Sequence, residues 1–315
     1  MTDPKVSVLI PAFNAEKFIG DTLKSVFRQT WKNIEIIVVN DGSTDGTAAV
    51  VKRLARTNLT LIEQENRGQT AALNKGLKHA TGDFVQYLDA DDLIDPDKIE
   101  QQMARLLDNP GCIASAEWGR FYGSPEETRF DPEPVWRDLS PIDWLVISRA
   151  DGQGMMFPAL WLVPMPIVRA IGPWREDLTL NNDAEYFTRA ILAAERVQFC
   201  AGARCRYRSG ISGSLSGRKS SQHWASQIGV LQLCESYVRA KEDSDRVRRG
   251  FALSWQHIAH ACHPYDPEIA EWALARAREL HPETIQPDGG PAFKFISRLV
   301  GWRIARRLQI ISGHS

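Results

Sequence analysis

Asp89, Asp91 and Asp92 fall within four residues of one another, directly after an apolar run that ends in Tyr87-Leu88. Carboxylates this close repel, and a hard divalent cation with oxygen ligands, bridged to phosphate oxygens, is the usual way to hold them together. Two further segments carry acids in turn-forming company, Pro11-Ala12-Phe13-Asn14-Ala15-Glu16 and Asn40-Asp41-Gly42-Ser43-Thr44-Asp45-Gly46. Taken singly, Asp45 and Asp95 read as helix N-caps, and Asp92 divides between a cap and a site role. Capping does not explain three acids together. The chain has no GxxxxGK[ST] and no GxGxxG after its first apolar run, which argues against a P-loop kinase or ATPase and against a dinucleotide fold. Phosphates would have to be held by a cation and by basic side chains.

Periodicity supplies the elements that must present these residues. Apolar runs at 6–10, 34–39, 59–63 and 83–88 alternate with helical spacing at 15–28, 45–56, 68–80 and 95–107. Strands apolar on both faces and separated by helices make a parallel sheet covered on two sides, doubly wound and Rossmann-like. In such a sheet ligands bind outside the carboxyl ends of the strands, where all three polar segments lie.

After Pro110 the pattern loosens, and Trp118, Phe121, Tyr122, Trp136, Trp144 and Trp161 are scattered among Gly and Pro, the mark of a mixed half that shapes an acceptor pocket. Residues 209–221 (SGISGSLSGRKSS) read as a mobile Ser/Gly loop with two cations, and helical spacing then fills 223–240, 246–262 and 267–280 before a Pro/Gly break at 287–291. The expected division is 1–110, 111–218 and 219–315, the last a helical region.

The chain has 315 residues, 43% hydrophobic, with 38 Lys plus Arg against 39 Asp plus Glu. That excludes a disordered chain and gives no global cationic field, so no nucleic-acid partner is expected. Five cysteines without a CxxC pair fit a reducing cytosol. No secretory leader is recognisable and no run reaches the roughly 18 apolar residues of a membrane span, so a cytoplasmic location is expected.

The runs VSVLIPAFNAEKFIGDTLKSVFRQTWKNIEIIVVNDGSTDGT and ENRGQTAALNKGLKHATGDFVQYLDADD resemble the nucleotide-binding half of the family-2 glycosyltransferases of GT-A fold. The resemblance is strong over residues 5–110 and weaker over 150–216. It implies that Pro11, Ala12, Phe13 and Glu16 line the nucleoside, with Asp41 accepting a hydrogen bond from the base ring. Arg67, Gly68, Gln69 and Asn74 would border the nucleotide, Asp89 would contact the ribose or donor sugar with Ala90 beside it, and Asp91 would bind Mg or Mn together with the diphosphate. The family's second carboxylate motif is matched by Asn181-Asn182-Asp183-Ala184-Glu185-Tyr186-Phe187-Thr188-Arg189, where Asn182 replaces the usual Glu. Asp183 is then the base that takes the acceptor's proton in an inverting transfer. Its alternative is a helix cap. Arg204, Arg206 and Arg208 alternate along a strand and so share a face. Arg206, Arg208, Ser214 and Asn182 are the diphosphate and acceptor candidates.

The resemblance thus implies a metal-assisted transferase that moves a sugar from a nucleotide-diphosphate donor, UDP by family tendency, to a glycan or lipid-linked acceptor in polysaccharide assembly. A nucleotidyltransferase would carry a Gly-rich basic loop where this chain has PAFNAE. A catalytically silent sugar-nucleotide-binding subunit is kept open by Asn182.

His257, His260 and His263 recur at helical spacing near Cys262 and read as helix surface rather than a zinc site. Residues 292–311 (AFKFISRLVGWRIARRLQII) hold five cations and no acid. They read as one basic amphipathic helix lying in a membrane interface on the inner face of the cell membrane, or else docked on protein.

Overall fold

A computed structural model of the chain describes residues 3–150, 155–211, 221–285, 287 and 289–311. The chain forms two compact units, Met1–Trp144 with Met156–Ser216, and Leu145–Met155 with Gly217–Ser315.

The first unit is built on strands β1 (Val6–Ala12), β2 (Ile34–Asp41), β3 (Leu59–Gln64), β4 (Phe84–Tyr87), β5 (Leu93–Ile94), β6 (Ile113–Phe121), β7 (Leu162–Pro164) and β8 (Val197–Arg208). They form one sheet in the order β3-β2-β1-β4-β7-β6-β8-β5. The first four are parallel to one another, as runs buried on both faces favour: every residue of β1 and β4 is buried. Between them run α1 (Ile19–Phe27), α2 (Thr47–Arg53) and α3 (Gln69–His79), and α4 (Lys98–Leu106) follows β5. Strand β7 joins β4 and β6 antiparallel, β6 and β8 are parallel, and β5 pairs antiparallel with the end of β8 through Leu93 and Arg206. The sheet therefore runs without interruption across residue 110. One consequence concerns chemistry: the acidic segment 89–92 lies between β4 and β5, and β5 carries it to Arg206 and Arg208 of β8.

Helices α5 (Pro141–Ile147), α6 (Met165–Ile171) and α7 (Asn182–Ala193) complete this part of the chain. Trp144 and Trp161 are core residues, Trp136 stacks on Phe199 at 5.7 Å, and Trp118 meets Phe157 edge to face at 5.5 Å. Lys98 is fully buried, its Nζ donating to Gln86 Oε1, and burial pushes its amine down to about 8.

The second unit is helical: α8 (Ser221–Lys241), α9 (Asp245–Cys262), α10 (Pro267–Leu280), α11 (Pro291–Val300) and α12 (Trp302–Ile311). Buried Glu235 ties three helices together by accepting from Trp255 Nε1 (2.8 Å), Arg239 Nη1 (3.0 Å) and Arg276. Two expectations are corrected here. The segment 292–311 is two helices, because Gly301 adopts φ +80°, which ends α11. His260 and His263 are buried, meeting the Trp302 ring at 4.7 and 5.0 Å. No described helix is long and apolar enough to cross a membrane.

Candidate active site

The carboxyl ends of β1, β2 and β4 share one edge of the sheet, because the parallel register aligns Ala12 with Asn40 and Leu9 with Tyr87. Pro11 and Ala12 end β1 buried, while Phe13 follows 51% exposed. Asn14 then turns the chain in the left-handed region (φ +49°), which Asn tolerates. Its Oδ1 accepts from Thr44 N (2.8 Å) and its N donates to Ser43 Oγ (3.0 Å), so the segments after β1 and β2 brace each other. Glu16 belongs to that brace, its Oε2 accepting from Gly46 N at 3.1 Å. Asp45 accepts from Thr47 N (3.0 Å), the first residue of α2, but the N-cap position falls on Gly46, so Asp45 is not the expected cap.

Asp41, buried at the end of β2, accepts from Gln64 Nε2 (2.7 Å) and Arg67 N (2.9 Å) on Oδ1 and from Gly68 N (2.8 Å) on Oδ2. It thereby fixes the entry to α3, where Gly68 has φ +90°. The first residue of that helix, Gln69, donates to Asp89 Oδ1 at 2.7 Å. Arg67 pairs with Glu176 at 3.2 Å on the surface. Asn74 is buried and committed elsewhere: its Nδ2 donates to the Trp174 carbonyl (2.9 Å) and Glu176 Oε1 (3.0 Å), and its Oδ1 accepts from Trp174 N (2.8 Å).

In the acidic segment, the Ala90 carbonyl accepts from Thr22 Oγ1 (2.9 Å) and Asp92 N donates to the Asp89 carbonyl (3.2 Å). Asp92 caps no helix; its buried Oδ1 accepts from Arg208 N (2.8 Å), and Arg208 Nε donates to the Asp91 carbonyl (2.8 Å). Asp92 Oδ2 is buried and has no hydrogen-bond partner among the described residues. Burial, followed by the charges of Asp91 and Asp183, pushes the Asp89 carboxyl up to about 8. Asp91 is also raised by burial, with Arg208 opposing.

Asp183 is the second residue of α7, which begins at buried Asn182 after Asn181 in the left-handed region (φ +56°). Its Oδ1 accepts from Ala184 N (2.8 Å), and burial pushes its carboxyl up to about 6. A tyrosine pair sets the position of α7: Tyr87, the last residue of β4, shares a 2.7 Å hydroxyl hydrogen bond with Tyr186, whose ring stacks on Trp174 at 3.9 Å. The Glu185–Arg189 ion pair (2.8 Å) and the bond from Arg189 to the Pro173 carbonyl (3.0 Å) close the other side. The end of β4 that leads to Asp89 is thus fastened to the helix that carries Asp183.

The arginines of β8 part ways. Arg206 is engaged bidentately by Asp95 (2.7 and 3.0 Å) and by the Pro125 carbonyl (2.6 Å), so Asp95 is an ion-pair partner and not the expected cap, and Arg206 is a strut. Arg204 pairs with Glu117 at 2.9 Å. Arg208 alone of the three contacts the acidic segment. Ser214, with Arg218 and Lys219, lies outside the described residues. Arg206→Ala is expected to lower stability by about 1.5–3 kcal/mol, the worth of charged hydrogen bonds, and to leave nucleotide affinity unchanged. Urea unfolding and calorimetric titration of the variant check this.

Sequence reasoning missed Thr22, whose bond to Ala90 spans 68 positions, and Tyr207, between two arginines in β8. The Tyr207 phenol is pushed up to about 12, first by burial and then by Asp92, Asp89 and Asp91. The alternation along β8 drew attention to the arginines and away from the aromatic between them.

The acids fit a hard cation. Asp89 and Asp183 are held high, and Asp92 leaves an orphan oxygen. Among the described residues no three His, Cys, Asp or Glu side chains form a ready cage. An ion that brings phosphate oxygens with it needs only one or two protein carboxylates.

A mixed, mostly parallel sheet with carboxylates after β4 and at the start of α7 matches the GT-A type of fold. The sequence model of glycosyl transferase family 2 matches residues 7–159, just under half of the chain. GlyA, a glycosyltransferase of Streptococcus pneumoniae serotype 4, is 37% identical over 123 residues, 38% of this chain and 18% of that protein's own length. This chain therefore spans less than a fifth of that relative. Among solved structures, residues 1–349 of S. aureus TarS in complex with UDP-GlcNAc superpose with a TM-score of 0.68 at 18% identity, covering 98% of this chain and 92% of that one. The mannosyltransferase PcManGT of Pyrobaculum calidifontis, in complex with GDP-Man and Mn2+, gives 0.57 at 21% identity over 100% and 89%. At these identities the likeness is one of fold.

Proposed function

We propose that the chain is an inverting glycosyltransferase that moves a sugar from a nucleotide-diphosphate donor, UDP-linked, to a hydroxyl of a glycan or lipid-linked glycan. The observation that carries the reading is the Tyr87–Tyr186 hydrogen bond, which fastens the end of β4 that leads to the acidic segment to the helix that carries Asp183; the Asp91 and Asp183 charges add to burial in raising Asp89. Phe13, open at the end of β1, offers a face to the base, and Asp41 Oδ2 has a lone pair left for a base N–H. Gln69 orients Asp89 toward the ribose or donor sugar. Asp91 would hold Mg or Mn together with the diphosphate, and the cation when bound supplies charge to the leaving group. Arg208, beside Asp91, adds a fixed positive charge there.

The acceptor O–H gives its proton to the Asp183 carboxylate as its oxygen bonds to the anomeric carbon. The bond from that carbon to the diphosphate oxygen breaks on the opposite side, and the nucleoside diphosphate leaves. Asp183 works in its ionised form. Because burial raises its carboxyl to about 6, kcat/KM is expected to fall as pH drops through about 6. A pH–rate profile with a flat acid limb down to the ordinary carboxylate range would remove Asp183 from the role. The five cysteines are buried and form no disulfide, which supports work in a reducing compartment.

The reading is tested by thermal unfolding with UDP, GDP, CDP and dTDP, each with and without Mn2+. A ligand that binds only the folded state at about 100 times its Kd adds about 2.7 kcal/mol. One nucleotide should raise Tm, and by more with the cation than without it. If none does, the donor site assigned here is wrong.

A further inference from the structure

The two C-terminal helices repeat one pattern at an offset of nine residues: Phe293-Lys294-Phe295, then Arg298-Leu299, and Trp302-Arg303-Ile304, then Arg307-Leu308. The burial repeats with it. The leading aromatic of each helix turns inward: Phe293 is buried beneath the Arg306 guanidinium at 4.4 Å, and Trp302 lies against His260 and His263. The other four positions of the pattern are exposed in both copies, with Phe295 at 64% and Leu299 at 69%. At about 100° per residue, positions two and six beyond the inward aromatic point away from it, and the cations at positions one and five flank them. Each helix therefore shows the solvent an apolar pair, Phe295 with Leu299 and Ile304 with Leu308, bordered by Lys294 with Arg298 and by Arg303 with Arg307. Val300 adds to the apolar area, and Arg303 is fastened to Glu271 at 2.6 Å.

We infer that this doubled face binds the surface of an anionic lipid bilayer, with Phe295, Leu299, Ile304 and Leu308 entering the headgroup region and the cations meeting lipid phosphates. Charge decides the occupant. Residues 289–311 contain no acid, so a second copy of the same face would set like charges opposite one another, whereas anionic headgroups complement every one of them. Gly301 suits the purpose as well. It divides a run too charged to span a bilayer into two short helices, each presenting the same edge.

The test is co-sedimentation of the full chain with vesicles of phosphatidylcholine plus phosphatidylglycerol, and with phosphatidylcholine alone. Binding is expected to the anionic vesicles and to weaken with salt. At about 1 kcal/mol per cation near such a surface, K294Q/R298Q/R307Q is expected to bind about 100-fold more weakly. F295S/L299S/I304S/L308S should lose binding with its Tm unchanged, since all four side chains are exposed. Equal binding to both vesicle types, no binding by the wild type, or a wild-type dimer that the serine variant converts to monomer would each overturn the inference. None of these readouts depends on transferase activity.

Discussion

Asp183→Asn is expected to cut sugar transfer by on the order of 10²–10⁴-fold, the range a positioned base supplies, while leaving nucleoside-diphosphate affinity unchanged. The amide keeps the shape of the carboxylate and its Oδ1 can still accept from Ala184 N, so the start of α7 survives. What is lost is a group that can take a proton near neutral pH. The carboxyl is suited to that task because burial holds it at about 6, close to the working pH. The loss should fall on kcat, measured with the donor found by the nucleotide panel, and the acid limb of the pH profile should vanish with it. Restored transfer in the variant at higher pH would mean that another group takes the proton.

Asp91→Ala should give the opposite division. Donor binding that depends on Mn2+ is expected to weaken by about 100-fold or more, because a cation's hold on the diphosphate is worth several kcal/mol and about 2.8 kcal/mol is a hundredfold. Cation-independent binding of the nucleoside should persist, since Phe13 and Asp41 are untouched. Calorimetric titration with UDP, with and without Mn2+, separates the two. Equal loss of donor affinity in Asp91→Ala and Asp183→Asn would overturn the assignment of different jobs to the two acids.

The nucleotide half was legible because β1, β2 and β4 are apolar on both faces and their acids come at the strand ends, so local pattern and topology agree. The other half was not. Strand β7 is three residues long, and its place between β4 and β6 is decided by pairing across the sequence. Period-two alternation correctly put arginines at 204, 206 and 208. It could not show that Asp95 would claim Arg206 and leave Arg208 to the acidic segment, because that choice depends on β5 pairing with β8. Asn74 lies in the family motif, yet its amide is used up on Trp174 and Glu176, a contact across 100 positions. The C-terminal run has continuous helical spacing, and only the backbone at Gly301 divides it. Burial of His260 and His263 likewise depends on Trp302 arriving from a distant helix.

The central claim is that Asp183 assists a single displacement at the anomeric carbon. The most direct measurement is the anomeric configuration of the first-formed sugar when the enzyme slowly hydrolyses its donor, water standing in for the acceptor, read by proton NMR before mutarotation. Inversion relative to the donor is the result the account predicts. Retention would require a covalent or front-face path, and would contradict the role given to Asp183.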